Sequence, residues 1–144
     1  MAKVIAINRS EKKGTIKQPE PEGNFIVDFG LEGDAHAGNW HRQVSLLGAE
    51  SIRKMEQLGI EGLCSGKFAE NITTEGIVLY ELPVGSRVRI GPCVMEITQI
   101  GKECHKHCAI YHQIGSCVMP TEGVFARVLT GGIIRAGDEI TVLK

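Results

Sequence analysis

Apolar residues recur along this chain in short runs parted by glycine, a rhythm that predicts strands more than helices. "KVIAIN" (3–8) reads as a first strand, and the polar, two-proline stretch "EKKGTIKQPEPEG" (11–23) as an exposed loop. "NFIVDFG" (24–30), with a glycine at each end, reads as a second strand. "QVSLL" (43–47) fits either a strand or a helix. "AESIRKMEQLGI" (49–60) predicts a helix, with Ile52, Met55 and Leu58 at three-residue steps and Gly59 as its stop. "GSRVRIG" (85–91) and "CVMEITQIG" (93–101) alternate apolar and polar residues, as half-buried strands do. "GVFARVLTGG" (123–132) and "GDEITVLK" (137–144) end the chain in the same style. There is no βαβ rhythm, no GxGxxG and no P-loop, so a nucleotide-binding fold is unsupported. The expected architecture is mainly β, an antiparallel β-barrel with a few short helices, formed as one domain over residues 1–144.

Composition narrows the function classes. A hydrophobic content of 42% is enough for a packed core and argues against disorder. Sixteen basic and 17 acidic residues leave a net charge of −1, so no nucleic-acid partner and no membrane-surface partner is expected. The first eight residues hold no long apolar run, so neither a signal peptide nor a membrane helix is expected and the cytoplasm is the default location. Five cysteines, an odd count, suit free thiols better than a disulfide scaffold.

Three segments carry candidate chemistry. "GKECHKHC" (101–108) gathers Cys104, His105, His107 and Cys108. In a strand, Cys104, Lys106 and Cys108 share one face and the two histidines the other; in a helix, Cys104, Cys108 and His112 form one row. Cys117 follows nine residues after Cys108. A thiolate is a strong nucleophile and a soft-metal ligand, and Lys102 and Lys106 favour it at Cys104. A zinc site drawn from Cys104, Cys108, Cys117 and His105 is the alternative use, and incidental packing a third. Cys64 and Cys93 read as small packing residues. In "GLEGDAHAGNWHRQ" (30–43), Asp34, His36, His41 and Arg42 stand among glycines, either as a site for an anionic or metal-bearing ligand with His36, His41 and Arg42 as donors, or as an Asx-type turn with a surface histidine. In "GKFAENITTEGI" (66–77), Glu70 and Asn71 sit together among turn residues.

In this order the segments resemble the MOSC domain, named for the C-terminal domain of molybdenum-cofactor sulfurase. The resemblance runs roughly from Asn24 to Leu143, on "EGDAHAGNWHRQVSLLGAESI", "GKFAENITTEGIVLYELPVGSRVRIG", "MEITQIGKEC" and "FARVLTGGIIRAGDEI". It is closest to the short, stand-alone bacterial members. It implies a β-barrel and makes Cys104 the match to the family's cysteine, a persulfide carrier or molybdenum ligand. It implies that Asp34, His36, Glu70 and Asn71 shape a cofactor pocket; Arg42, a donor by its residue type, and Lys102, a cation beside the cysteine, are further cofactor-binding candidates. One departure stands out: Gly101 occupies the place where many members have arginine, and Lys102 follows it. The expected ligand is the molybdenum cofactor, and the expected partners are sulfur donor or acceptor proteins. Reduction of N-hydroxylated compounds is the alternative activity, and it would need an external electron donor. Pyridoxal phosphate is not expected, since no lysine stands in a Schiff-base setting.

Overall fold

From Cys93 to Ile97 every second side chain is buried, the alternation of a strand with one face on a core. The computed structural model describes residues 2–10, 18–35, 37–56, 70–101 and 123–143. In chain order these form β1 (Lys3–Arg9), β2 (Gln18–Glu20), β3 (Glu22–Ile26), β4 (Gly30–Leu31), β5 (Val44–Gly48) and α1 (Ala49–Glu56). There follow β6 (Ile72–Glu75), a 3-10 turn (Leu79–Glu81), β7 (Arg87–Ile90), β8 (Cys93–Ile100), β9 (Val124–Thr130), β10 (Gly132–Arg135) and β11 (Ile140–Leu143).

The main sheet has eight strands in the order β11-β7-β8-β9-β5-β6-β1-β2. It curls until its ends meet: Val4 N–H donates to the Asp138 carbonyl at 2.8 Å, and Gly137 N–H donates to the Val4 carbonyl at 2.7 Å. The inward side chains, including Val4, Ile7, Val44, Leu46, Ile72, Ile90, Met95, Ile97, Val124 and Ala126, make one core. A second sheet, β10-β3-β4, adds Phe25, Leu31 and Ile134 to that core. Cys93 is fully buried in it, its thiol donating to the Gly132 carbonyl at 3.5 Å, in keeping with a packing role. Burial pushes that thiol up to about 11, and the Asp138 carboxylate adds to the rise.

The mainly-β barrel expectation holds, with three corrections. First, β5 and β6 pair in parallel, with α1 between them in sequence, so the described residues include a βαβ arrangement. Second, residues 18–23 are not all loop. Gln18–Glu20 pairs with β1 as the outermost strand, a position where Pro19 can dispense with a ladder N–H, and Glu22 already belongs to β3. Third, the strand expected over 24–30 is a hairpin: β3 ends at Ile26 and β4 starts at Gly30. Residues 43–47 resolve as strand, and the expected helix is present over Ala49–Glu56, while residues 57–60 lie outside the described residues.

Candidate functional site

One transverse row of the sheet collects residues from all the motif segments. Gln99 on β8 pairs with Phe125 on β9, and Phe125 with Ser45 on β5. Ser45 is bonded to Asn71 at the start of β6, and Asn71 to Asn8 on β1. Their chain neighbours Val44, Leu46, Ile72, Ile7, Val124 and Ala126 point into the core, so the row faces the other way. At this rim Gly101 N–H donates to the Gly123 carbonyl at 2.7 Å.

The Asn71 side of the row is a buried polar frame. Asn71 Oδ1 accepts from Ser45 N–H at 3.0 Å and from Ser45 Oγ at 3.2 Å, while its Nδ2 donates to the Asn8 carbonyl at 3.3 Å. Glu70, fully buried, accepts from Thr73 Oγ1 at 2.8 Å, and Thr73 accepts from Asn8 Nδ2 at 3.0 Å. Asp34 Oδ1 accepts from Ser10 N–H at 3.1 Å, and Ser10 carbonyl accepts from Ala35 N–H at 2.8 Å. That bond spans 24 positions, so the Asp34 side chain ties its loop to the end of β1, while its backbone makes local turns with Leu31 and Ala37. Gly33 beside it adopts φ +83°, a conformation open to glycine, with the Arg9 guanidinium packed over it. Asp34, Glu70 and Asn71 are thus brought together around Asn8–Ser10.

The Gln99 side is more open. His41 Nε2 is 2.9 Å from Gln99 Oε1, and Gln99 Nε2 donates to the Gly101 carbonyl at 2.8 Å. The ladder slips between Ile97 and Gln99, and Thr98 turns its hydroxyl to the His41 and Phe125 carbonyls. Such a bulge re-aims side chains at a strand end. The Arg42 guanidinium lies 4.6 Å from the Trp40 ring centroid and 5.7 Å from that of Phe125. Its Nε is buried without a hydrogen-bond partner, and among the described residues no carboxylate pairs with it. His36, Lys102, Cys104, His105, Cys108 and Cys117 lie outside the described residues, as does Cys64. Among the described residues no cluster of metal-ligating side chains occurs, and no helix is long and apolar enough to cross a membrane.

The sequence model of the MOSC domain matches residues 33–141. The chain belongs to the MOSC domain family. That family is linked to the molybdenum cofactor. Among solved structures, the YuaD protein of Bacillus subtilis superposes with a TM-score of 0.80 at 17% identity, over 97% of this chain and 94% of that one. YiiM of Geobacillus stearothermophilus gives 0.75 at 18% identity, over 100% and 76%, and YiiM of Escherichia coli 0.68 at 17%, over 99% and 70%. At these identities the likeness establishes the MOSC fold. A search of curated proteins finds no match to this chain.

The MOSC rim fits an anionic group at one place. A planar cation held between two rings, with an unsatisfied buried N–H, is suited to phosphate. A separate cavity of about 260 Å3 presents Arg9, Glu20, Glu22 and Glu32 above Ile7 and Leu31. Its carboxylates would repel a phosphorylated ligand, so it does not suit the cofactor. Sequence reasoning missed Asn8, Ser10, Ser45, Thr73 and Gln99. For Ser45 and Asn8 the signal was a lone polar residue in an otherwise apolar strand, "VSLL" and "VIAIN".

Proposed function

We propose that this MOSC domain binds the molybdenum cofactor or carries sulfur for it as a persulfide on Cys104. The observation that supports this most is the meeting on one rim of residues from the 30–43 and 66–77 segments with Gly101, which stands three residues before Cys104 in sequence. Arg42 would hold the anionic end of the cofactor, stacked on Trp40 and Phe125. Asp34, Glu70 and Asn71 would keep the loop and strand ends in place, since the bonds described for their side chains run to the protein's own framework. When bound, the cofactor supplies a molybdenum centre for which a soft thiolate is a well-matched ligand. In the sulfur-carrier reaction, the Cys104 thiolate attacks the terminal sulfur of a donor protein's persulfide. The donor's S–S bond breaks, a new S–S bond forms on Cys104, and the donor leaves as a thiolate, with no external oxidant. Lys102 and Lys106, close to Cys104 in sequence, favour the thiolate.

The test uses protein purified anaerobically from its native host, with cyanide-releasable sulfur and molybdenum measured per chain. Cys104→Ser is expected to lose the releasable sulfur. Arg42→Ala is expected to lose molybdenum while keeping sulfur. Full retention of both by Cys104→Ser would sink the proposal.

A further inference from the structure

Arg42 and its neighbours sit on a loop whose two ends meet on a single carboxylate. Asp28 Oδ2 accepts from Asn39 Nδ2 at 2.6 Å, and Asp28 Oδ1 accepts from Gln43 Nε2 at 3.1 Å. Between Asn39 and Gln43 lie Trp40, His41 and Arg42. Asp28 and Gln43 are themselves fixed. Gln43 is buried, and its Oε1 accepts from Val128 N–H at 2.9 Å, so its amide can present only N–H groups to Asp28. Asp28 N–H donates to the Val128 carbonyl at 3.1 Å, which fastens the β3–β4 turn to the same residue of β9. Asp28 also adopts φ +58°, the left-handed conformation that aspartate and asparagine tolerate better than other side chains. Behind it, Gly30 packs so closely on Gln43 that a Cβ there would stand 2.5 Å from the Gln43 carbonyl oxygen.

We propose that Asp28 is a positioning residue: its carboxylate clamps both ends of the Trp40–His41–Arg42 segment and so sets the direction in which the Arg42 guanidinium is offered. The segment is short and partly exposed, and its described contacts include the Arg42 stack on Trp40 and Phe125, the His41–Gln99 bond and the Thr98 hydroxyl on the His41 carbonyl. Those contacts act sideways, whereas the Asp28 bonds fix where the segment starts and stops. The consequence for ligand binding rests on the reading of Arg42 as an anion holder, but the clamp itself does not.

Trp40 is the chain's single tryptophan, so its fluorescence reports on the clamped segment alone. The experiment compares the full chain with Asp28→Ala, Asp28→Asn and Asn39→Ala. It reads iodide quenching of Trp40, the far-UV circular dichroism and the Kd for inorganic pyrophosphate. Asp28→Ala is expected to keep its secondary structure, raise the quenching constant about twofold as the segment frees itself, and weaken pyrophosphate about tenfold or more. Asn39→Ala removes an exposed side chain, leaves folding unthreatened, and is expected to shift quenching in the same direction. Asp28→Asn is expected to recover most of the wild-type behaviour. Its Oδ1 can still accept from Gln43, and the exposed Asn39 amide can turn its oxygen to the new Nδ2. Unchanged quenching in both alanine variants would overturn the proposal, and so would an Asp28→Asn variant as impaired as Asp28→Ala. Altered quenching with no pyrophosphate binding even by the wild type would support the clamp and count against Arg42 as an anion holder.

Discussion

Asn71→Ala separates a frame residue from a ligand contact. Asn71 is fully buried, and its amide makes three bonds: two to Ser45 and one to the Asn8 carbonyl. Each such bond contributes about 1 kcal/mol net, so the alanine variant should lose about 3 kcal/mol. For a domain near this size a loss of that scale lowers Tm by roughly 6–12 °C, at about 2–4 °C per kcal/mol. The strands at risk are β5, β6 and β1, because Asn71 also joins their backbones, with its N–H donating to the Ser45 carbonyl at 2.8 Å and its carbonyl accepting from Asn8 N–H at 2.7 Å. Urea unfolding followed by circular dichroism gives the number. Ser45→Ala removes one partner and should cost about 1 kcal/mol. The double variant should then cost less than the sum, because the two side chains share a bond. A loss below about 1 kcal/mol in Asn71→Ala would show that the amide does not hold these strands, and its bonds would need another role.

Gly30→Ala should destabilise by about 3 kcal/mol or more, since φ is +115° and the added Cβ would meet the Gln43 carbonyl oxygen; thermal unfolding reads it directly. The Cys93 thiol, pushed up from 9.0 to about 11, is protonated in the fold where the unfolded chain begins to ionise. Its contribution to stability is therefore complete below pH 9 and fades as pH rises towards 11, so the stability gap between wild type and Cys93→Ala should shrink over that range. The same burial predicts that Cys93 labels with thiol reagents only on unfolding, and rapid labelling of Cys93 in native protein, read by peptide mass mapping, would contradict it.

Much of the barrel was legible because β7 and the first five residues of β8 alternate cleanly, and alternation is a local property of the chain. The parallel β5–β6 pair was not legible. Val44–Leu47 is buried throughout, so its period carries no sign of partner or direction, and pairing across a crossover is decided by distant residues. The split of 24–30 into β3, a turn and β4 turns on Asp28, whose left-handed conformation sequence pattern alone does not announce. Pro19 argued for a loop, and the argument failed because an outermost strand leaves one edge without a ladder.

The site was legible as motifs and illegible as roles. "GDAH" and "EN" were read as pocket-lining residues because they match motifs of the family the chain resembles. In the fold, Asp34 takes a backbone N–H from β1, and Asn71 takes one from β5 while giving one to β1. Those N–H and carbonyl groups lie where ladders end, the places where backbone polar groups lack strand partners. A side chain that satisfies them must be short, polar and buried, which is also the description of a ligand-binding residue. Sequence patterns therefore cannot tell the two apart, but the partner atoms can. Arg42 falls on the other side of that test: its guanidinium contacts rings and has a buried N–H with no acceptor. The partner atoms therefore separate Arg42, whose buried Nε has no acceptor in the fold, from Asn71, whose amide is bonded to the protein's own strands.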